Sequence, residues 1–447
     1  MVHTRKPDTA KRKSAASARK PTPRRAPRTT RSAHVAAPRA ARTPYAVAPH
    51  ATRTARTAVP RVAILALAVV AVTVILVVVF TQCTLNRQSP DAEPVADAAA
   101  NRRVSFVAVG DNLPEISIAN WADSLAGEAG DGTYDYAPAY APVKSYIEGA
   151  DLAYVSQEVH LGGEDIGPRG WPSFNTTDSM ADAIVSTGFD LVASASNHAY
   201  DWGTFGAIEH SRSIWDAQPV AFTGTATSAE QAAELALVER NGITFALLNY
   251  TYGVNGFSQA DLPAYTVNLI DEDRIRADVA QAKEAADVVL VAMHWGTENL
   301  MEADEDQLRW AQLLADLEVD MVIGSHPHVI GPLAWVEGAT GHRTLVAYSL
   351  GNFLSNHNSP AISNELEGML TCDFVGNEDG GVSVENAAWT PLVNHADADG
   401  SFGVYALRDY SEELAARHTL LGELDDPIGQ LRDITHEVVG EEFEIRE

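Results

Sequence analysis

Cysteine is almost missing from this chain: Cys83 and Cys372 are the two in 447 residues, so no disulfide framework holds it together. Its folded part must be stabilised by its core. Internal repeats at a fixed period are absent too, which excludes solenoids and propellers. Large apolar and acidic side chains are scarce in residues 1–61, where 16 Lys and Arg stand against one acid, Asp8, amid Ala, Pro, Thr and Ser. Such a segment buries too little to order itself, so 1–61 reads as a disordered basic cytoplasmic tail rather than as an arm for lipid or nucleic acid.

Beyond Arg61 the scarcity reverses. Sixteen Lys and Arg face 59 Asp and Glu there, a formal charge of −43 with His neutral. That balance argues against a nucleic-acid or anionic-lipid surface on this part and fits solubility in a salty or cation-rich medium.

What is there begins with Val62 to Phe80, nineteen residues without a charge. At about 1.5 Å rise each they nearly match a hydrocarbon core of roughly 30 Å. A transmembrane helix over 62–82 is the expectation. The basic excess before it keeps the N-terminus cytoplasmic, giving a single-pass plasma-membrane protein with its C-terminal domain outside. Ala96 to Ala100 leaves signal-peptide cleavage as the alternative. Lipidation at Cys83 is disfavoured, because Phe80-Thr81-Gln82 lacks the small residue such processing needs. Residues 83–103 read as a polar linker.

The folded part opens with Val104 to Val109, an apolar run closed by Gly110-Asp111. Similar runs recur at 152–155, 191–195, 245–249, 288–293, 321–323 and 345–348, each read as a buried strand. Helical patterns at 181–187, 205–217, 272–286 and 304–317 alternate with them, which predicts an α/β layer architecture with covered sheet faces. Residues 104–355 form the main domain in this reading. Residues 356–447 are its closing part, with candidate strands such as 380–389 and a last helix at 411–421.

Polar residues fall just after the apolar runs: Asp111, Glu158, Asn197-His198, His294, and His326 with His328. In α/β sheets that edge is where sites are built, so residues far apart in sequence would converge on one rim. One Asp, one Glu, one Asn and several His suit Mn, Fe or Zn better than calcium or a thiolate-loving ion. Each has a plainer reading. Asp111 could close a turn, Asn197 could cap a helix beside a core His, and His294 beside Trp295 could be a packed histidine. His326 and His328 are harder to dismiss, because in an extended segment a His-x-His pair presents both imidazoles on one side.

Seven strings stand in order along the chain: VGD (109–111), QE (157–158), PSFN (172–175), SNHAYDWG (196–203), HWGTE (294–298), GSHPHVI (324–330) and YSLGNF (348–353). Together they resemble the CapA family of bacterial poly-γ-glutamate capsule-synthesis proteins. The resemblance spans about Val104 to Phe353 and implies a domain similar to calcineurin-like metallophosphoesterases, a four-layer α-β-β-α sandwich. It implies one or two divalent ions held by Asp111, Glu158, Asn197, His294, His326 and His328, with His198 as general acid. Asp201 would orient His198, and Glu298 would stand behind the ligands.

The sequence departs from that pattern. The usual Asp-x-His is Asp111-Asn112-Leu113 here, and Ser156 and Ser196 stand where Asn is usual. Two functions follow from the resemblance. One is a metal-dependent hydrolase or transferase acting on an envelope phosphoester or on an amide-linked anionic polymer. The other is a non-catalytic envelope component, a polymer-binding or export partner that keeps the fold. The membrane, other capsule-synthesis proteins and an anionic polymer are the expected partners, and nucleic acid is not. Loops at 162–163, 167–171 and 250–257 are expected either to cover the site or to be surface turns.

Overall fold

The computed structural model describes residues 102–257, 262–356 and 361–447. The expected tail 1–61, the span 62–82 and nearly all of the linker 83–103 lie outside the described residues. Among the described residues no helix is long and apolar enough to cross a membrane.

Two sheets form the centre. The first runs in the order β14 (Phe402–Ala406), β13 (Val382–Ala396), β12 (Leu366–Gly376), β1 (Arg103–Asn112), β2 (Leu152–Gln157), β3 (Leu191–Ala193), β4 (Ala221–Thr223). Two short strands join it: β11 (Asn352–Leu354) beside β1 and β15 (Glu444–Ile445) beside β13. The second sheet runs β5 (Ala236–Arg240), β6 (Ile243–Thr251), β7 (Val288–His294), β8 (Met321–Ser325), β10 (Arg343–Ala347), β9 (Leu333–Glu337). Strands β1 to β4 are mutually parallel, as are β6, β7, β8 and β10.

Apolar residues on both faces explain why these strands are buried. In β7, Val288, Leu290 and Ala292 point into the layer between the sheets, while Val289, Val291 and Met293 point the other way, under helices. β1 divides in the same manner: Val104, Phe106 and Ala108 face the second sheet, Val107 and Val109 the outer layer. The period of two in side-chain direction turns a continuous apolar run into two buried faces.

Among the described residues, five helices of nine or more residues cover the outer faces. α1 (Ile116–Ala126), α2 (Ser179–Thr187) and α3 (Phe205–Trp215) lie on the first sheet and contribute Ile118, Met180, Ile184 and Trp215 to its outer cluster. α4 (Glu272–Ala285) and α5 (Glu305–Asp316) lie on the second, through Ile275, Val279, Ala311 and Leu314. Both of these start at an aspartate cap. Asp271 accepts from Arg274 N, and Asp304 with Gln307 forms a full capping box. The order helix, sheet, sheet, helix is the four-layer α-β-β-α sandwich.

The C-terminal part corrects the sequence reading. The last helix is not at 411–421, where only α6 (Glu412–Arg417) and a short 3-10 turn occur; α7 (Pro427–Val439) follows. Asp426 caps it through Gly429 N, Pro427 opens it, and Ile428, Leu431, Thr435 and Val439 are its buried stripe. Acidic residues around that stripe concealed its period. Likewise β12 and β13 form a long antiparallel pair, paired from Leu366–Val393 to Gly376–Val382, which extends the first sheet beyond the parallel strands that the sequence pattern marks.

Phe374 on β12 ties the layers. Its ring meets Phe106 edge-on at 5.6 Å and Phe245 of the opposite sheet at 5.0 Å. Phe374→Ala is expected to cost about 3–5 kcal/mol of stability. A urea titration of the full-length chain followed by circular dichroism measures it, and a loss below about 1 kcal/mol would contradict this role.

Candidate metal centre

The rim is built where the chain passes from one sheet to the other. After β10 the segment 348–351 leaves the second sheet, and β11 then pairs in parallel with the end of β1, Asp111 opposite Asn352. Two glycines make room for it. A Cβ on Gly110 would lie 1.9 Å from Gly351 O, and one on Gly324 would lie 2.1 Å from Tyr348 O. Any side chain at either position would push the sheet ends apart. The ends of β1 and β8 thus come together, and Asp111 Oδ2 accepts from His326 N at 2.8 Å.

Around this contact the candidates converge. Asp111 Oδ1 also accepts from Ser156 Oγ at 2.7 Å, and His294 Nδ1 lies 3.8 Å from it. Glu158 is buried, and neither carboxylate oxygen has a hydrogen-bond partner. Imidazole nitrogens surround it: His294 Nε2 at 3.8 Å, His198 Nε2 at 3.9 Å and His328 Nδ1 at 4.0 Å. Asn197 Oδ1 lies 2.8 Å from His294 Nε2. His326 Nδ1 is buried without a hydrogen bond. Ligand atoms of Asp111, Glu158 and His328 fall within 4.8 Å of one another, and so do those of Glu298, His326 and His328.

Electrostatics sharpens the picture. Burial raises Glu158 well above the usual carboxylate range, and the charges of Asp111, Asp201 and Glu298 push it further. Burial also lifts Asp111 to about 6, against the pull of the bonds from His326 N and Ser156. In the opposite sense, burial holds His294 well below its ordinary value and His326 at about 3. A buried carboxylate without hydrogen bonds is costly by several kcal/mol unless a cation faces it. Neutral imidazoles offer lone pairs of the kind that divalent ions accept. The His/Asp/Glu cluster is compatible with a divalent-metal site.

His198 occupies a different position. Its Nδ1 is 2.7 Å from Asp201 Oδ2, which also accepts from Phe174 N at 2.7 Å, and its ring meets Phe174 edge-on at 4.6 Å. The imidazole is therefore fixed with Nε2 toward Glu158 and the open cleft. That cleft, about 680 Å³, is walled in part by Trp171, Asn255 and Glu298. Of the loops expected near the site, 167–171 and 250–257 supply cleft residues, whereas Gly163 packs toward His210.

One expectation fails in detail. His326 and His328 do not lie on an extended segment. β8 ends at Ser325, and both histidines take left-handed backbone angles, φ 95° and 59°. Their rings nevertheless come within 5.8 Å, because the tight turn substitutes for strand alternation. Such angles are costly for residues with side chains and persist where surroundings enforce them. Glu298 is exposed on the rim rather than behind the ligands. Leu113, at the position of the missing histidine, is buried with Val159 and Phe174 and carries no ligand atom.

Two positioning residues escaped the sequence reading: Ser325 Oγ lies 2.9 Å from His294 Nδ1, and Asn352 Oδ1 lies 2.9 Å from His328 Nδ1. Ser196, noted there only as a departure, donates through Oγ to Glu158 O. Ser325 and Asn352 stand inside GSHPHVI and YSLGNF, so the strings contained them. Their partners were not readable before the sheets met.

Fold and site together define a four-layer α/β sandwich with a carboxylate and imidazole centre at the rim where its sheets converge. The family model described as bacterial capsule synthesis protein PGA_cap matches residues 105–357, and the chain belongs to that family. It is 29% identical over 186 residues to the PGA biosynthesis protein CapA of Bacillus subtilis (strain 168), covering 40% of this chain and 46% of that one. It is 25% identical over 179 residues to the capsule biosynthesis protein CapA of Bacillus anthracis, covering 38% and 41%. The matches thus span under half the length of these relatives. Among solved structures, a 5'-nucleotidase precursor from Thermus thermophilus is similar at a TM-score of 0.40 and 10% identity, over 75% of this chain and 59% of that one. The purple acid phosphatase PPD1 from yellow lupin is similar at 0.27 and 8%, over 69% and 54%. At such scores the assignment rests on the family match and on the layers themselves.

Asn352→Ala removes one hydrogen-bond partner of His328 without altering a candidate ligand. It is expected to weaken metal retention roughly 10–100-fold. Elemental analysis after dialysis against graded chelator checks this, with an unchanged circular dichroism spectrum showing that the fold persists.

Proposed function

We propose that this chain is a membrane-anchored envelope protein of capsule or poly-γ-glutamate synthesis, with a metal-dependent phosphoesterase site. The observation that carries the catalytic part is Glu158: a fully buried carboxylate, unpartnered, with three imidazoles about 4 Å away. Asp111, Glu158, Asn197, His294, His326 and His328 would hold one or two ions, and Mn, Fe and Zn suit these donors. When bound, such ions polarise a phosphoryl oxygen and activate water.

The chain's own residues supply the rest. Asp201 fixes His198 through Nδ1, so a protonated His198 presents Nε2–H to the cleft, where it donates to a leaving oxygen. Phe174 flanks the ring and limits its rotation. Tyr252 tilts over His326 at 4.7 Å and partly shields that side from water.

The capsule role draws on family membership and on the names of the two relatives. The membrane anchor and extracytoplasmic placement draw on residues 1–82, with other capsule-synthesis envelope proteins and an anionic polymer as partners. A second reading, a non-catalytic polymer-binding or export partner, is favoured by Leu113, which leaves the centre one imidazole short of the usual set. The strong negative charge also repels a polyanion, though screening over about 8 Å softens this.

Full-length chain, purified without chelator, is expected to retain Mn, Fe or Zn, and His326→Ala with His328→Ala to lose most of it. His198→Ala is expected to lower hydrolysis of bis(p-nitrophenyl) phosphate by about 10²–10⁴-fold while metal content holds. Bound metal without turnover on any phosphoester supports the binding role instead. Metal-free wild-type protein removes the metallosite altogether.

A further inference from the structure

The cleft beside the metal centre has a chemistry of its own. Its walls include Leu113, Glu115, Trp171, Phe174 and Glu298, and none of its lining residues is Lys or Arg. Trp171 is 72% exposed, while Trp215, Trp295 and Trp389 are fully buried. An indole exposed on a cleft wall offers a stacking surface.

Glu115 stands beside it and is 8% exposed. It sits at the cap position of α1, yet its side chain makes no capping bond. Its Oε2 accepts from Trp171 N at 3.3 Å instead. Gly170 permits this approach, since a Cβ there would lie 2.3 Å from Glu115 Oε2. The carboxylate therefore anchors the loop that carries the indole, and it still borders the cleft. Burial raises its pKa, against the pull of the Trp171 and Ile116 amides and of His198. The second carboxylate at this cleft, Glu298, is exposed and offers an oxygen within 4.8 Å of the His326 and His328 nitrogens, so it belongs to the metal end.

We propose that this cleft binds an ammonium-bearing group of the substrate, held over the Trp171 indole and beside the carboxylate of Glu115. The proposal rests on the phosphoesterase reading for its orientation: the phosphoryl group at the metal end, the cation at the aromatic end. An indole face attracts a cation through its quadrupole, and the neighbouring Glu115 carboxylate adds to that attraction. The same arrangement repels an anionic arm, so the substrate class is a zwitterionic phosphodiester rather than a polyanion.

Choline is the probe for binding, with its uncharged isostere 3,3-dimethyl-1-butanol as control, both titrated by calorimetry into full-length chain. Choline is expected to bind at least ten-fold tighter than the isostere. Trp171→Ala, at an exposed position, and Glu115→Gln, which keeps an oxygen for Trp171 N, are each expected to weaken choline about ten-fold. Equal binding of choline and isostere, or choline binding unmoved by both variants, overturns the proposal.

Turnover separates it from the underlying reading. The ratio of kcat/KM for p-nitrophenyl phosphorylcholine over bis(p-nitrophenyl) phosphate is expected to exceed ten and to fall in Trp171→Ala. Choline binding with the stated sensitivities but no turnover of either ester keeps the cation site and rejects the hydrolase. Turnover of both esters at equal kcat/KM without choline binding does the reverse.

Discussion

Asp111 Oδ2 accepting from His326 N joins the end of the first sheet to the end of the second, and the site depends on that one contact. Both groups are buried, so the bond is made in a low dielectric, where leaving either side unmade is expensive. It forms only because Gly110 and Gly324 let the strand ends press against 348–351. The crossing segment then carries Asn352 to His328, and the same few residues of chain position a carboxylate and two imidazoles. Remove the close approach and the ligands belong to two separate sheets.

From that junction the electrostatics follow. The folded part is strongly acidic, yet the acids that matter are withdrawn from the surface and placed among histidines that burial keeps neutral. Excess surface charge serves solubility and stays screened. Glu158 is buried without a hydrogen bond on either oxygen and with three imidazoles about 4 Å away, an environment compatible with a divalent ion. The cleft repeats this logic on a smaller scale, where Glu115 anchors the loop that carries an exposed indole.

Much of the fold was legible because burial on two faces leaves a simple trace. Runs such as Val288 to Met293 have no polar residue to break them, and the aspartate caps of α4 and α5 mark where helices begin. α7 was missed because its stripe, Ile428, Leu431, Thr435 and Val439, lies among Asp and Glu that face solvent. β12 and β13 were blurred for a related reason. Glu367 and Asp373 interrupt the apolar pattern of β12, and their burial could not be read from composition.

The sequence by itself determined which residues were candidates, their order, and the strand ends they occupy, because apolar runs and glycines are local signals. It also carried the departure at Leu113. Tertiary structure alone decided that Asp111 meets His326 across 215 residues, that Ser325 and Asn352 steady the imidazoles, and that His326 and His328 converge through a left-handed turn. The physical reason is that these contacts are fixed by how two sheets pack and where one segment crosses between them, and no local pattern encodes that geometry.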